Sequence, residues 1–209
     1  MPYQFQDKQL TIICIQNGMN TKSAQQPGCQ EKWKPRVANY HDITTLEELI
    51  PLSVRKLQSS CYSSAQIEAA LGTIFGVDRQ LIRDGTYFVV ENDRKIVGCG
   101  GWSKRRSLFG SDSIRTEPDP ELDPKRDMAR IRAFFVHPAW ARQGIGRSIM
   151  VACEQAIVAA GFRRVEISAT LVGERLYQSF GYKTVEHYEI PMSGGLSLPV
   201  VRMSKSFGT

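Results

Sequence analysis

The sequence predicts an α/β fold in which strands and helices interleave around a central sheet. Three observations carry this. Two β-rich segments, 86–90 and 95–102, flank the turn Asn92-Asp93-Arg94 as a hairpin would. A strand-like run, 129–136, is followed by a glycine-containing turn and a helix with apolar residues at helical spacing. The tail then alternates strand, short helix and two more strands.

The remaining elements follow in order. Residues 1–34 hold Gln, Asn, Ser, Lys and Gly clusters around one short apolar run, so they read as a loosely structured N-terminal extension, with the main domain at 35–209. Pro35 to Tyr40 reads as a short strand. Thr44-Thr45 opens a helix on Leu46, Leu49, Ile50, Leu52, Val54 and Leu57, with Pro51 expected to kink it. Ser63-Ser64 opens a second helix that carries Ile67, Ala70, Leu71, Ile74 and Phe75 on one face, up to Gly76. The three glycines near the end of the hairpin's second strand, Gly98, Gly100 and Gly101, signal a bulge or a close backbone approach. Residues 103–127 lose periodicity and form a long candidate loop. A helix on Ile149, Met150, Cys153, Ala156 and Ile157 ends at Gly161. A strand over 165–169, a short helix over 174–180 and strands near 182–190 and 198–203 complete the chain.

Composition narrows the function classes. With 42% apolar and 23% charged residues, the 209-residue chain suits an ordinary globular domain. No apolar run approaches the roughly 18 residues that cross a bilayer, and Met1-Pro2-Tyr3-Gln4 lacks the start of a signal peptide. A cytoplasmic protein without a membrane partner is expected. The five cysteines are irregularly spaced, form no Cys-x-x-Cys pair and stand apart from the three histidines, so no metal site is expected. The net charge of +6 fits nucleic acid or an anionic cofactor in a basic cleft. Because no basic stripe is interleaved with aromatics, nucleic acid is the less favoured partner.

The turn at 142–147, Arg142-Gln143-Gly144-Ile145-Gly146-Arg147, carries the chemistry. Amides at a helix start point at an anion, the helix dipole favours negative charge, and glycine lets the backbone come close. A dinucleotide fingerprint needs a third glycine where Ile149 stands, and no Gly-Lys-Ser/Thr follows as in a P-loop. The longer stretch from Val136 to Arg147, with Leu176-Tyr177-Gln178-Ser179-Phe180-Gly181-Tyr182 downstream, resembles the two motifs of the GNAT N-acetyltransferase superfamily. The resemblance runs from about Pro35 to Phe207.

It implies a GNAT-like mixed, mostly antiparallel central sheet flanked by helices and splayed at the cofactor cleft. It also implies an acetyl-CoA-dependent N-acetyltransferase. Amides of Arg142, Gln143, Gly144, Ile145, Gly146 and Arg147 would cradle the CoA pyrophosphate, and backbone groups of Phe134 and Val136 would pair with the pantetheine arm. Tyr177 matches the tyrosine that protonates the departing thiolate. Thr170 stands where many relatives place an Asn, Ala141 replaces the usual Gln or Arg at the first motif position, and Arg130 stands where some relatives carry a base glutamate. Ala141 shifts the expected grip onto backbone amides.

For the base, Glu166 and Asp127 are candidates, beside the reading of each as a solvated carboxylate. A backbone N–H near Phe134 or Phe135 would stabilise an oxyanion. His137 reads better as a strand-end residue than as a catalyst. Trp102, Tyr62 and Phe109 are candidates for an acceptor pocket, Trp102 more naturally for the core. Glu117, Asp119, Glu121 and Asp123 would attract a cationic acceptor or simply sit in a solvated loop. The acceptor is a small-molecule amine or a peptide or protein amine, and homodimer formation stays open. The main rival reading is a non-catalytic acyl-CoA-binding sensor, which needs the glycine turn but not Tyr177.

Overall fold

The computed structural model describes residues 32–108 and 119–208. The expectations for residues 1–31, Phe109 and Glu117 lie outside them. The elements are β1 (Arg36–Val37), α1 (Ile43–Leu57), α2 (Ser64–Ala70), α3 (Arg79–Arg83), β2 (Tyr87–Asn92), β3 (Lys95–Ser103), β4 (Ala129–Val136), α4 (Ile145–Ala159), β5 (Arg164–Thr170), α5 (Glu174–Ser179), β6 (Lys183–Pro191) and β7 (Ser197–Ser206). The strands form one open sheet in the order β1-β2-β3-β4-β5-β7-β6, antiparallel except for the parallel pair β4–β5.

Alternation along the strands feeds two cores, one on each face. Leu46, Ile50, Leu81, Tyr87, Val89 and Val200 pack under α1, α2 and α3. Val90, Ile131, Ile149, Met150, Val165 and Val201 pack under α4 and α5. Neighbours such as Val89 and Val90, or Val200 and Val201, therefore stabilise opposite layers.

Local chemistry explains most boundaries. Ser63 and Gln66 form a reciprocal capping box that starts α2. At the next helix, the Asp78 side chain accepts from the Leu81 N–H. Asp93 and Arg94 both take positive φ, the backbone of a tight hairpin turn. Three expectations change. The first strand shortens to Arg36–Val37, because Asn39 and Asp42 cap a 3-10 turn at Tyr40–Asp42. Pro51 sits inside α1, which continues through it as one helix. The second helix stops at Ala70: Leu71 is extended and Gly72 is left-handed at φ +79°, so Ile74 and Phe75 reach the core from a turn instead. Trp33, read as part of the extension, is buried in the α4-side core.

No described helix is long and apolar enough to cross a membrane.

Candidate active site

Between β4 and α4 the chain builds a tight glycine-containing turn. The His137 N–H bonds the Val97 carbonyl at 2.8 Å, and the His137 ring nitrogen accepts from the Ala139 N–H at 3.2 Å, starting a 3-10 turn at Pro138–Trp140. Its ring nitrogen thus serves a cap. Arg142 (φ +64°) and Gly144 (φ +91°) then turn the backbone into α4. Ser148 N–H to Gly144 carbonyl, 3.0 Å, opens the helical ladder. The amides of Ile145, Gly146 and Arg147 precede that ladder and face outward from the positive end of a 15-residue helix. Arg142, Gln143, Gly144 and Arg147 are exposed, whereas the Ile145 side chain is buried. Arg147 also stacks its guanidinium over Phe180.

The second half of the site is the split in the sheet. Parallel pairing of β4 with β5 covers Ala129, Arg130 and Ile131 and stops at Ile131↔Ile167. Just beyond it β4 bulges: Gly101 pairs with Arg132 and Cys99 with Phe135, so Ala133 and Phe134 both stand opposite Gly100. Ala133 takes φ +56°. The bulge would leave the Ala133 carbonyl without a strand partner, and the Tyr87 hydroxyl donates to it at 3.1 Å. In a planar trans peptide the next N–H points the opposite way, so the Phe134 amide faces the gap that β5 has left. Gly100 matters here: a Cβ on it would lie 2.6 Å from the Phe134 ring. Val136 also presents its N–H away from β3, but Ser53 of α1 already accepts it at 3.2 Å.

A cavity of about 80 Å³ occupies the split. Phe134, Thr170 and Tyr177 line it from the α5 side, and Gln58, Ile74 and Phe75 from the α1–α2 side, so it links the two faces of the sheet. Tyr177 is buried, with its ring edge-on to Phe134 at 6.2 Å and to Tyr182 at 5.9 Å. Burial pushes its hydroxyl well above the ordinary phenol value. The Thr170 hydroxyl accepts from the Gly173 N–H at 3.2 Å, shaping the turn into α5. A Cβ on Gly173 would come within 3.2 Å of the Tyr177 ring, so this glycine lets the tyrosine in.

Several candidates take other roles. Glu166 is buried between two guanidiniums, Arg130 and Arg202, the latter at 2.7 Å, so it is an ion-paired strand residue and not a free base. Asp127 accepts the Asp123 N–H within the loop before β4. The Tyr62 hydroxyl donates to the Pro199 carbonyl (2.7 Å) and accepts from the Leu171 N–H (3.0 Å), tying strands together instead of lining the cavity. Trp102 packs edge-on against Phe162 in the core. Asp119 accepts the Ser107 N–H, Glu121 pairs with Lys104 and Arg105, and Asp123 accepts from Lys125 N–H. Sequence reasoning missed Trp33, Ser53 and Tyr87. Each meets the site across 46 to 110 residues of chain, and no local pattern marks such contacts.

An open sheet that splays beside a glycine turn and an outward-facing helix start defines the class: this is the GNAT fold. Residues 83–184 match the model of the acetyltransferase (GNAT) domain family. Similar solved structures include a GCN5-related N-acetyltransferase from Rhodopseudomonas palustris (TM-score 0.62, 18% identity, 84% of this chain and 96% of that one). Another is YncA, a putative acetyltransferase from Salmonella typhimurium solved with acetyl-CoA (0.57, 15%, 84% and 94%). A third is the PaiA N-acetyltransferase of Thermoplasma acidophilum in complex with coenzyme A (0.56, 14%, 84% and 99%). No curated protein matches the sequence.

Proposed function

We propose that this chain is an N-acetyltransferase that moves an acetyl group from acetyl-CoA to an amine by direct attack. The observation that carries it is the cavity through the split sheet, which joins a Tyr177-lined side to a Gln58-lined side. Acetyl-CoA, when bound, supplies an electrophilic thioester carbonyl and a thiolate leaving group.

The chain's residues divide the work. Amides of Arg142 to Arg147 hold the pyrophosphate, which suits a turn whose side chains are exposed while its backbone leads a helix dipole. The bared edge of β4, through the Phe134 backbone and the Val136 carbonyl, takes the extended arm like an added strand. Thr170 lines the same cleft from β5. The Phe134 N–H, turned into the gap, stabilises negative charge on the carbonyl oxygen. Reference values of about 10 for Tyr and 8.5 for a thiol already make full proton transfer from Tyr177 uphill by roughly 2 kcal/mol. Burial raises that barrier further. Tyr177 therefore donates a hydrogen bond to the leaving thiolate and keeps its own proton, while the proton shed by the attacking amine passes to solvent.

On the other face, the Gln58 side-chain oxygen is buried in the cavity wall with no hydrogen-bond donor among the described residues. It is suited to receive an N–H of the acceptor amine, whether that amine belongs to a small molecule, peptide or protein. The test is thiol release from acetyl-CoA across an amine panel, beside a direct CoA-binding measurement. Amine-dependent release supports the enzyme. Tight CoA binding with no release above hydrolysis, for any amine class, would favour the sensor.

A further inference from the structure

Trp33 lies outside every motif of the family, yet its indole N–H donates to the Gln143 carbonyl at 2.7 Å. The ring is buried and stands edge-on to Trp140 at 5.7 Å, while its rim reaches 3.9 Å from where a Cβ of Gly144 would be. Gln143 is gripped at its side chain as well, by Lys32 at 3.4 Å and by the Ala139 carbonyl at 3.4 Å. The gripped peptide lies between Arg142 (φ +64°) and Gly144 (φ +91°). A glycine flanking a turn is where a peptide plane flips most cheaply, because no Cβ opposes either orientation.

From this geometry we propose that Trp33 is a positioning residue for the pyrophosphate amides. It fixes the Gln143–Gly144 peptide plane so that the Gly144 N–H faces the anion. The reason is covalent geometry: with the carbonyl held toward the indole, the trans peptide turns the N–H to the opposite side. Without the indole N–H, the carbonyl is free to rotate toward the phosphate oxygens, replacing a donor with a repelling acceptor. The inference rests on the acetyl-CoA reading above and adds a selective element to it, because the effect is confined to ligands that carry the phosphates.

The experiment is calorimetric titration of the full chain and its Trp33→Phe variant with CoA, which keeps the aromatic packing and removes the N–H. CoA is expected to bind the variant about 2- to 12-fold more weakly, the range of one lost hydrogen bond. With S-acetylpantetheine, which carries none of the CoA phosphates, the two proteins should turn over alike. If the wild type binds CoA and the variant binds it equally well, the inference fails alone. If the wild type binds no CoA, the acetyl-CoA reading fails and takes the inference with it. A second readout needs no variant. The Trp33 indole N–H cross-peak in a nitrogen-15 spectrum should shift on saturation with CoA, and an unmoved peak in a CoA-saturated protein overturns the proposal.

Discussion

Gly98 is where a single methyl group would test the link between core packing and the turn proposed to hold the pyrophosphate. A Cβ there would lie 2.4 Å from Ile145 Cγ2, 3.5 Å from the Phe135 carbonyl oxygen and 3.6 Å from Ile149 Cδ1. Ordinary carbon–carbon contact begins at about 3.5 Å, so Ile145 must retreat by about 1 Å. It has little room to do so by rotation. Isoleucine in a helix holds one χ1 rotamer, and this side chain is fully buried. The first turn of α4 must therefore lift off β3, carrying the amides of Ile145, Gly146 and Arg147 with it. Overpacking of this kind costs about 1–3 kcal/mol, which for a chain of this size lowers Tm by about 2–12 °C. The same shift stretches hydrogen bonds to a phosphate beyond their useful range. Losing one such charge-assisted bond weakens CoA by about 10- to 150-fold. Thermal melts and calorimetry on Gly98→Ala read the two effects separately. The double variant Gly98→Ala/Ile145→Leu removes the offending Cγ2 methyl at constant volume and should recover both. A Gly98→Ala protein with wild-type Tm and CoA affinity, or a double variant no better than the single one, would refute the reasoning.

Three more outcomes follow from the same geometry. Tyr177→Phe should lower kcat by about 10- to 150-fold with little change in acetyl-CoA KM, as for a hydrogen bond made to developing charge. Because burial raises the Tyr177 hydroxyl, the wild-type rate should show no Tyr177-dependent alkaline limb below about pH 10, and such a limb vanishing in the variant would contradict this. Tyr87→Phe frees the Ala133 carbonyl, so the carbonyl stretch of bound, carbon-13-labelled acetyl-CoA should move back toward its solution frequency; an unchanged band would remove Tyr87 from the site. The Asp42 carboxyl is held below its ordinary value, first by hydrogen bonds from Arg36 and also by the Asn39 amide. A depressed folded value means its stabilisation is present above about pH 4 and is lost as pH falls through the lower folded value. Asp42→Asn should therefore cost about 1–2 kcal/mol at pH 7, a figure reduced for the partly exposed Arg36 partner, and the gap to wild type should narrow in urea melts as pH falls below about 4.

How much of this was legible depended on the range of the interaction. The hairpin β2–β3, strand β4, helix α4 and strands β5 to β7 followed from periodicity and turn residues, because their signals lie within a dozen residues. The three glycines of β3 were readable as a close approach, but not what approaches. Gly98 meets Ile145, Gly100 meets Phe134, and Gly101 meets the Thr86 carbonyl at 2.7 Å. The end of α2 was misread because Leu71, Ile74 and Phe75 do face one core, as a helix would place them, but through a turn that Gly72 opens. Glu166 stood as a candidate base or a solvated carboxylate, and its burial between two guanidiniums was hidden because these partners come from different strands, 36 residues away on either side. Tertiary pairing of that kind leaves no local trace.

Backbone strain in the described residues falls in a telling place. Apart from the hairpin pair Asp93 and Arg94, the non-glycine residues at positive φ are Ala133 and Arg142. One sits at the β4 bulge beside the Phe134 amide, the other in the turn beside the Gly144 amide. A left-handed L-residue costs about 1–2 kcal/mol, so the two together consume a real fraction of the roughly 5–15 kcal/mol by which a domain is stable. Both are offset by a buried aromatic donor from a distant element: the Tyr87 hydroxyl on the Ala133 carbonyl and the Trp33 indole on the Gln143 carbonyl. Each donor turns one carbonyl away from the cleft and, by peptide planarity, one N–H into it. A fold under selection for stability alone would relax these turns with glycine. Keeping the strain and bracing it from behind is what a site needs when backbone amides, rather than side chains, must meet charge.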